Sequence, residues 1–443
     1  MDEHLTIEVE QSPSLKDARG RFLGEMCAWA ERVISAHPSG ITPTGHDGCT
    51  FITPWAVYAR ASGDGRVADF MRKCRDNAKA HFEAAGKWLD GYWRRQEAHH
   101  GTEHFDIFLH ALWQLSPDDA ETVRQFEDAA EHIGNWKSGF PEWYDWRRGV
   151  FRSFHLGTEH VGEPSVNVPD HVRFLSLALG AFKMTGRTRY LDLARQYGGR
   201  WADAILTAPE LPVGLDENGA AYTLGRDQTA YRSFAGAAPD DLSANPPRAE
   251  NLLASGVPDV MLRLWQLTSD LPFRDAATRI TDAAAIELAS PIAWQAHAAV
   301  RRWRVVTGSD RYDAQVRALA GACVRRIETL TMVPVTTERR RQDAMGLRRD
   351  KPDWLDERRE PAPSPLLWAL CATVTEDEAM MTRAVDLGLA YFRLAQRAFG
   401  DEAEHGCGAA SLCAVARGHG RLNGAGVVTE VLSPALDSPV PSP

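Results

Sequence analysis

The sequence predicts an all-α protein assembled from repeated helical hairpins. Three observations predict it. A short turn pattern recurs along the chain, the segments flanking it carry helical apolar spacing, and no stretch is rich in strand signals. The pattern is an apolar helix end, a Ser or Thr, a Gly or acidic residue, and then a second helix.

The first copy is Tyr58-Ala59-Arg60-Ala61-Ser62-Gly63-Asp64. The second is Leu112-Trp113-Gln114-Leu115-Ser116-Pro117-Asp118, and the third Ala181-Phe182-Lys183-Met184-Thr185-Gly186-Arg187. Leu264 to Asp270 and Trp303 to Asp310 are the fourth and fifth. Ala372 to Asp377 is a weaker sixth, and Ala416 to Gly420 a seventh. Gly tolerates the left-handed conformation that ends a helix. Ser, Thr or Asp then caps the next helix by accepting a free backbone N–H.

The two helices of a hairpin differ in character. Residues 172–184 are apolar on nearly every face, with Phe174, Leu175, Leu177, Leu179 and Phe182. Such a helix is buried all round. The next helix carries a stripe of Tyr190, Ala194, Tyr197, Trp201 and Ile205 between charges, which makes it an amphipathic outer helix. Alternating inner and outer helices predict a double ring, an (α/α) toroid of six or seven hairpins. One domain is expected over residues 1–432, followed by a proline-rich flexible tail at 433–443.

The hairpin Met184-Thr185-Gly186-Arg187-Thr188-Arg189-Tyr190-Leu191 resembles the turns of (α/α)6 and (α/α)7 toroid enzymes. These include glycoside hydrolases, sugar epimerases and polysaccharide lyases. At the level of pattern the resemblance spans roughly residues 20–430. It implies a carbohydrate-active enzyme, although one fold hosts many chemistries. A DxDD motif like that of the terpene-cyclase toroids is absent, and so is a GxSxG nucleophile elbow.

Bulk properties narrow the classes. The formal charge is −10, which argues against nonspecific nucleic-acid binding. No apolar run approaches the roughly 18 residues of a membrane helix. The N-terminus has neither a basic nor an apolar leader segment. Seven cysteines, odd in number and without a CxxC pair, are expected to be reduced thiols. A cytoplasmic chain is expected, acting on short oligosaccharides.

In a toroid the loops that lead into the inner helices gather at one end. These loops hold eight of the fifteen histidines: 46, 99, 100, 104, 155, 160, 171 and 405. Gly-Thr-Glu-His occurs twice, at 101–104 and 157–160. His104 with Glu103 and Glu159 is therefore a candidate site for a divalent metal ion. The alternative is that both glutamates cap helix starts and the histidines bond locally. Trp136, Phe140, Trp143, Tyr144 and Trp146 are candidates for stacking on a sugar, or else for filling space beneath a long loop.

Arginine is the residue type that points to an acidic sugar, because its guanidinium pairs with carboxylates in two-pronged geometry. Arg152, Arg173 and Arg248 lie beside the histidines, whereas the arginines of 339–359 have acidic neighbours that can neutralise them. The leading expectation is a lyase that cleaves a uronate-containing glycan by β-elimination. Asn167, His171 and Arg173 then hold the carboxylate, with Arg152, Trp146 and Arg248 as further substrate contacts. His155 or His160 is the base, and Tyr144 or Tyr231 the acid. A hydrolase of the unsaturated-uronyl type needs paired carboxylates instead, from Asp47, Glu103, Glu159 and Asp170. A non-catalytic sugar-binding toroid keeps the aromatics without needing the histidines.

Overall fold

The computed structural model describes residues 5–43, 49–159, 167–222, 249, 252, 253, 255–290, 293–321, 327–335, 354–357 and 364–401. In chain order the helices are α1 (Leu15–Ala36), α2 (Trp55–Ser62), α3 (Gly65–Ala84), α4 (Ala98–Thr102) and α5 (His110–Leu115). They continue with α6 (Ala120–Ile133), α7 (Arg173–Thr185), α8 (Thr188–Thr207), α9 (Val257–Thr268) and α10 (Leu271–Ala285). The last are α11 (Trp294–Thr307), α12 (Asp313–Ala320), α13 (Pro365–Thr375) and α14 (Glu378–Phe399). A π-helical segment, Glu103–Leu109, joins α4 to α5. The protein is all-α, as the repeats predict. Among the described residues no helix is long and apolar enough to cross a membrane.

The turns show why the pattern recurs. In five of them the Ser or Thr hydroxyl donates to the carbonyl four residues back: Ser62 to Tyr58, Thr185 to Ala181, Thr268 to Leu264, Thr307 to Trp303 and Thr375 to Cys371, all at 2.7–2.8 Å. In four of these the same oxygen accepts the N–H two residues on, from Asp64, Arg187, Asp270 and Ser309. One hydroxyl thus ties the end of one helix to the start of the next. The residue between takes left-handed backbone at Gly63, Gly186 and Gly308, but also at Ser269 (φ 63°) and Glu376 (φ 56°). The second copy is built differently: the Asp119 side chain accepts from Glu121 and Thr122 N–H to cap α6. The seventh copy and the tail at 433–443 lie outside the described residues.

Where the sequence predicts one domain over 1–432, internal contacts group the chain into two compact units. One comprises Met1–Gly40, Thr50–Phe70 and Ala284–Ser442, the other Ile41–Cys49 and Met71–Ala283.

In the first unit α13 is the helix buried on every side, from Leu366 to Ala372. The same unit holds a three-stranded antiparallel sheet that the sequence reading does not predict. Its order is β1 (Leu5–Glu8), β10 (Thr329–Val335) and β11 (Trp354–Glu357), with Leu5 opposite Met332 and Val335 opposite Trp354. The β1–β10 pairing spans more than 300 residues, which leaves no local signal.

In the second unit α7 buries Phe174, Leu175, Leu177 and Leu179, and α8 buries its whole predicted stripe of Tyr190, Ala194, Tyr197, Trp201 and Ile205. Each large side chain so buried contributes about 1.5–3 kcal/mol. Short two-stranded ladders lace the loops that precede the helices. They are β2 (Trp88–Leu89) with β3 (Tyr92–Trp93), β4 (Gln96–Glu97) with β7 (His155–Leu156), β5 (Tyr144–Asp145) with β6 (Val150–Phe151), and β8 (Gly214–Leu215) with β9 (Ala221–Tyr222). The β4–β7 ladder joins the loop leading into α4 to the loop leading towards α7. Within this unit the helix-entering loops therefore do meet.

Candidate active site

The loop before α7 turns through a tight 3-10 helix, Pro169–Val172. Its side chains are spent on holding that turn. The Asn167 amide accepts the Phe151 N–H at 2.8 Å and donates to the Phe151 carbonyl at 2.9 Å. His171 accepts the Val168 N–H on Nδ1 at 3.1 Å, and its Nε2 faces the Ser153 carbonyl at 3.3 Å. Both side chains are fully buried. Burial holds the His171 imidazole down to about 4, so the ring is neutral at pH 7. Asn167 and His171 are expected from the sequence to hold a substrate carboxylate; in the structure their polar atoms bond the backbone.

Other expected site residues are also engaged in the scaffold. Tyr144 is fully buried, its hydroxyl bonds Gln196 at 3.0 Å, and burial pushes its pKa up. It is a packing residue and not an accessible acid. Arg152 is exposed and pairs with Glu142 at 2.8 Å. The Trp146 indole donates to the Gly134 carbonyl and packs on Trp136 and Tyr144, with part of its ring left exposed. Trp143 is buried and donates to the Gly157 carbonyl. His155 is half-buried in β7, close enough for its charge to bear on His171. His160, Tyr231, Arg248 and Asp47 lie outside the described residues.

The three residues expected to hold a metal ion are not grouped together in the structure. Glu159 is exposed and ion-paired with Arg94. His104 is buried edge-on against Trp88 and Phe105, and lost hydration holds it down to about 3. Glu103 is buried on the π-helical segment. Among the described residues no three His, Cys, Asp or Glu side chains are grouped to hold an ion.

A different group stands out two residues beyond His104. The π-helical segment adds a residue to a helical turn, a distortion frequent at functional sites. Within it Glu103, His104, Phe105, Phe108 and Leu109 are buried, while Asp106 and Ile107 keep solvent contact. The Asp106 carboxyl is nonetheless deep in the unit. Desolvation raises it to about 6, against the pull of Arg173 and Arg263 and with a further push from Asp259. An acid this close to neutrality can both give and take a proton.

The charges around Asp106 come from two helices, α7 and α9. At α7, Arg173 Nε lies 3.9 Å from Asp170, whose carboxylate also accepts the Ser255 hydroxyl at 2.8 Å. At α9, Arg263 Nε pairs with Asp259 at 2.8 Å across one helical turn. Further along α7, Lys183 sits 5.4 Å from the centre of the Trp113 ring. Burial lowers its pKa first, and the charge of Arg263 lowers it further. The sequence reading names Arg173 and Asp170 but misses Asp106, Asp259, Arg263 and Lys183. The one available signal is that each is a charge inside an otherwise apolar inner helix.

No protein-family model matches the chain, and no curated protein matches it. Among solved structures it is similar to a crystal structure of D-mannose isomerase, at 11% identity, over 67% of this chain and 83% of that one, with a TM-score of 0.45.

Proposed function

We propose that the second unit holds an acid–base site acting on a sugar, with Asp106 as its proton-transfer group. The observation that carries this reading is the Asp106 carboxyl, deep yet in contact with solvent, raised to about 6 and flanked by arginines. A carboxyl so placed is poised for proton transfer near neutral pH, and positioned guanidinium groups can offset negative charge on a substrate.

Within that class we favour β-elimination on a uronate-containing oligosaccharide. A base removes the proton on C5, the electron pair forms the C4–C5 double bond, the C4–O bond breaks, and the leaving oxygen takes a proton. In this scheme His155 is the base and Asp106 the acid, while an arginine beside Asp106 offsets the C5 carboxylate. A hydrolase is the second reading, favoured by one feature: Asp259 supplies a further carboxylate whose charge bears on a raised one, the division of labour that glycoside hydrolysis uses.

The test is a screen of uronic-acid oligomers for the absorbance of the new double bond, with hydrolytic release of reducing sugar followed in parallel. Only a lyase makes that chromophore from a saturated substrate. Asp106→Asn should lower whichever activity is found by about 100-fold or more, the scale of lost acid–base catalysis. Full activity in that variant removes Asp106 from the chemistry and sinks the proposal.

A further inference from the structure

We infer that a cleft between α1 and the end of α14, in the first unit, binds a phosphorylated sugar. The inference goes beyond the acid–base reading and does not depend on it.

The cleft follows from the spacing of charges on two helices. On α1, Glu25 and Arg32 lie two turns apart on one stripe. On α14, Arg393, Gln396 and Arg397 share another. The two stripes face each other: Arg393 donates to Glu25 at 3.0 and 2.7 Å, and Arg32 to Gln396 at 3.4 Å. Between them and Asp401, just past the helix end, lies a space of about 400 Å³. That volume suits a small ligand, yet most small-ligand pockets are lined by apolar side chains. Here the lining beside Gly400 is Glu25, Arg32, Arg393, Gln396, Arg397 and Asp401, and none of these is apolar.

Such a lining selects a ligand that is polar all round. Sugar hydroxyls supply donors for the two carboxylates. The guanidinium groups call for an oxyanion, which they meet in two-pronged geometry. Three arginines on one cleft suit the three terminal oxygens of a phosphate monoester better than the two of a carboxylate.

One of the three is uncommitted. Arg32 holds Asp401 through two bonds of 2.8 Å, and Arg393 is shared between Glu25 and Glu10. Arg397 has one partner among the described residues, the Thr6 carbonyl, 3.2 Å from its Nη1. That bond places the guanidinium without neutralising it. The other two arginines can turn to a ligand at small cost, because partly exposed pairs add little to stability. The side chains of Arg32 and Asp401 are 49% and 36% exposed, and those of Arg393 and Glu25 24% and 35%. The wall behind them is firm. The Trp29 indole donates to the Asp401 carbonyl at 2.9 Å and packs edge-on against Trp55 and Phe392. A wall already in place lowers the ordering cost of binding.

The experiment is calorimetric titration of the full chain with glucose, galactose and mannose, each phosphorylated on its primary hydroxyl. The free sugars and inorganic phosphate are titrated alongside. At least one ester should bind about tenfold or more tighter than its free sugar and than inorganic phosphate. Arg397→Gln should weaken that ester by about tenfold with an unchanged melting curve. Arg124→Gln, which removes an exposed arginine from the second unit, should leave the affinity alone. If Arg397→Gln does not fold, Arg397→Lys replaces it. The lysine keeps the charge and should still lose affinity, because an ammonium lacks the planar fork. The proposal is overturned if no ester binds, if inorganic phosphate or the free sugar binds as tightly, or if the Arg397 variant binds like wild type. An equal loss in Arg124→Gln also overturns it, since the attraction is then diffuse and not seated in the cleft.

Discussion

The corner made by Asn167 and His171 and the face that carries Asp106 both withdraw polar groups from water, yet they do so on opposite terms. In the corner, both side chains bond the backbone, with Asn167 bridging Phe151 and His171 spanning Val168 and Ser153. Such groups are neutral and fully matched, which is how a tight loop is held in place. On the Asp106 face the groups are charged, and Arg263 and Asp259 are matched within one turn of α9. There one carboxyl stays partly hydrated and strained toward its protonated form. Matched neutral groups add stability, whereas a crowded set of charges lowers it in exchange for reactivity.

The comparison can be broken most directly at Asn167. Asn167→Ala should destabilise the second unit by about 2–4 kcal/mol, because the buried Phe151 N–H and C=O both lose their partner. Urea unfolding followed by circular dichroism checks this. A loss well below 1 kcal/mol would mean that the corner is not structural, and would reopen Asn167 as a ligand for substrate.

Asp106→Asn should move stability the other way. The folded carboxyl is raised to about 6 from an ordinary 3.8. Between those values the folded state binds more protons than the unfolded state, so wild-type stability falls as pH rises through that window. Above it the penalty is fully present. The variant should therefore be more stable than wild type by on the order of 1–2 kcal/mol at pH 7–8, with the gain fading by about pH 4. His104 and His171, held down to about 3 and 4, act in the opposite sense, and their stabilising effect is lost as pH falls below about 6.5. Thermal melts of both proteins across this range distinguish the two behaviours. A variant less stable than wild type at pH 8 would show that the Asp106 face is structural too.

The smallest effect belongs to the turns. Ser269 holds left-handed backbone where other copies use Gly. Ser269→Gly relieves that strain and should raise stability by about 1 kcal/mol or less, because the added freedom of the unfolded chain offsets part of the gain. A destabilised variant would show that the Ser269 side chain, and not only its backbone, supports the turn.

The sequence by itself determined the hairpins. Their signals are local: a hydroxyl that bonds four residues back, a left-handed residue after it, and helical stripes such as Tyr190, Tyr197 and Trp201 on α8. Hydrogen bonds and periodicity of that range are written in adjacent residues. The sequence reading also named Arg173, whose charge bears on Asp106, and Asp170 beside it. Only the tertiary structure decided which polar residues were spent on holding loops. A histidine in a helix-entering loop reads the same whether its ring meets a substrate or, like His171, the Ser153 carbonyl. Nor could Asp106 be found in isolation. Its raised pKa comes from burial and from charges on helices more than 60 residues away, and neither leaves a mark on the residues beside it.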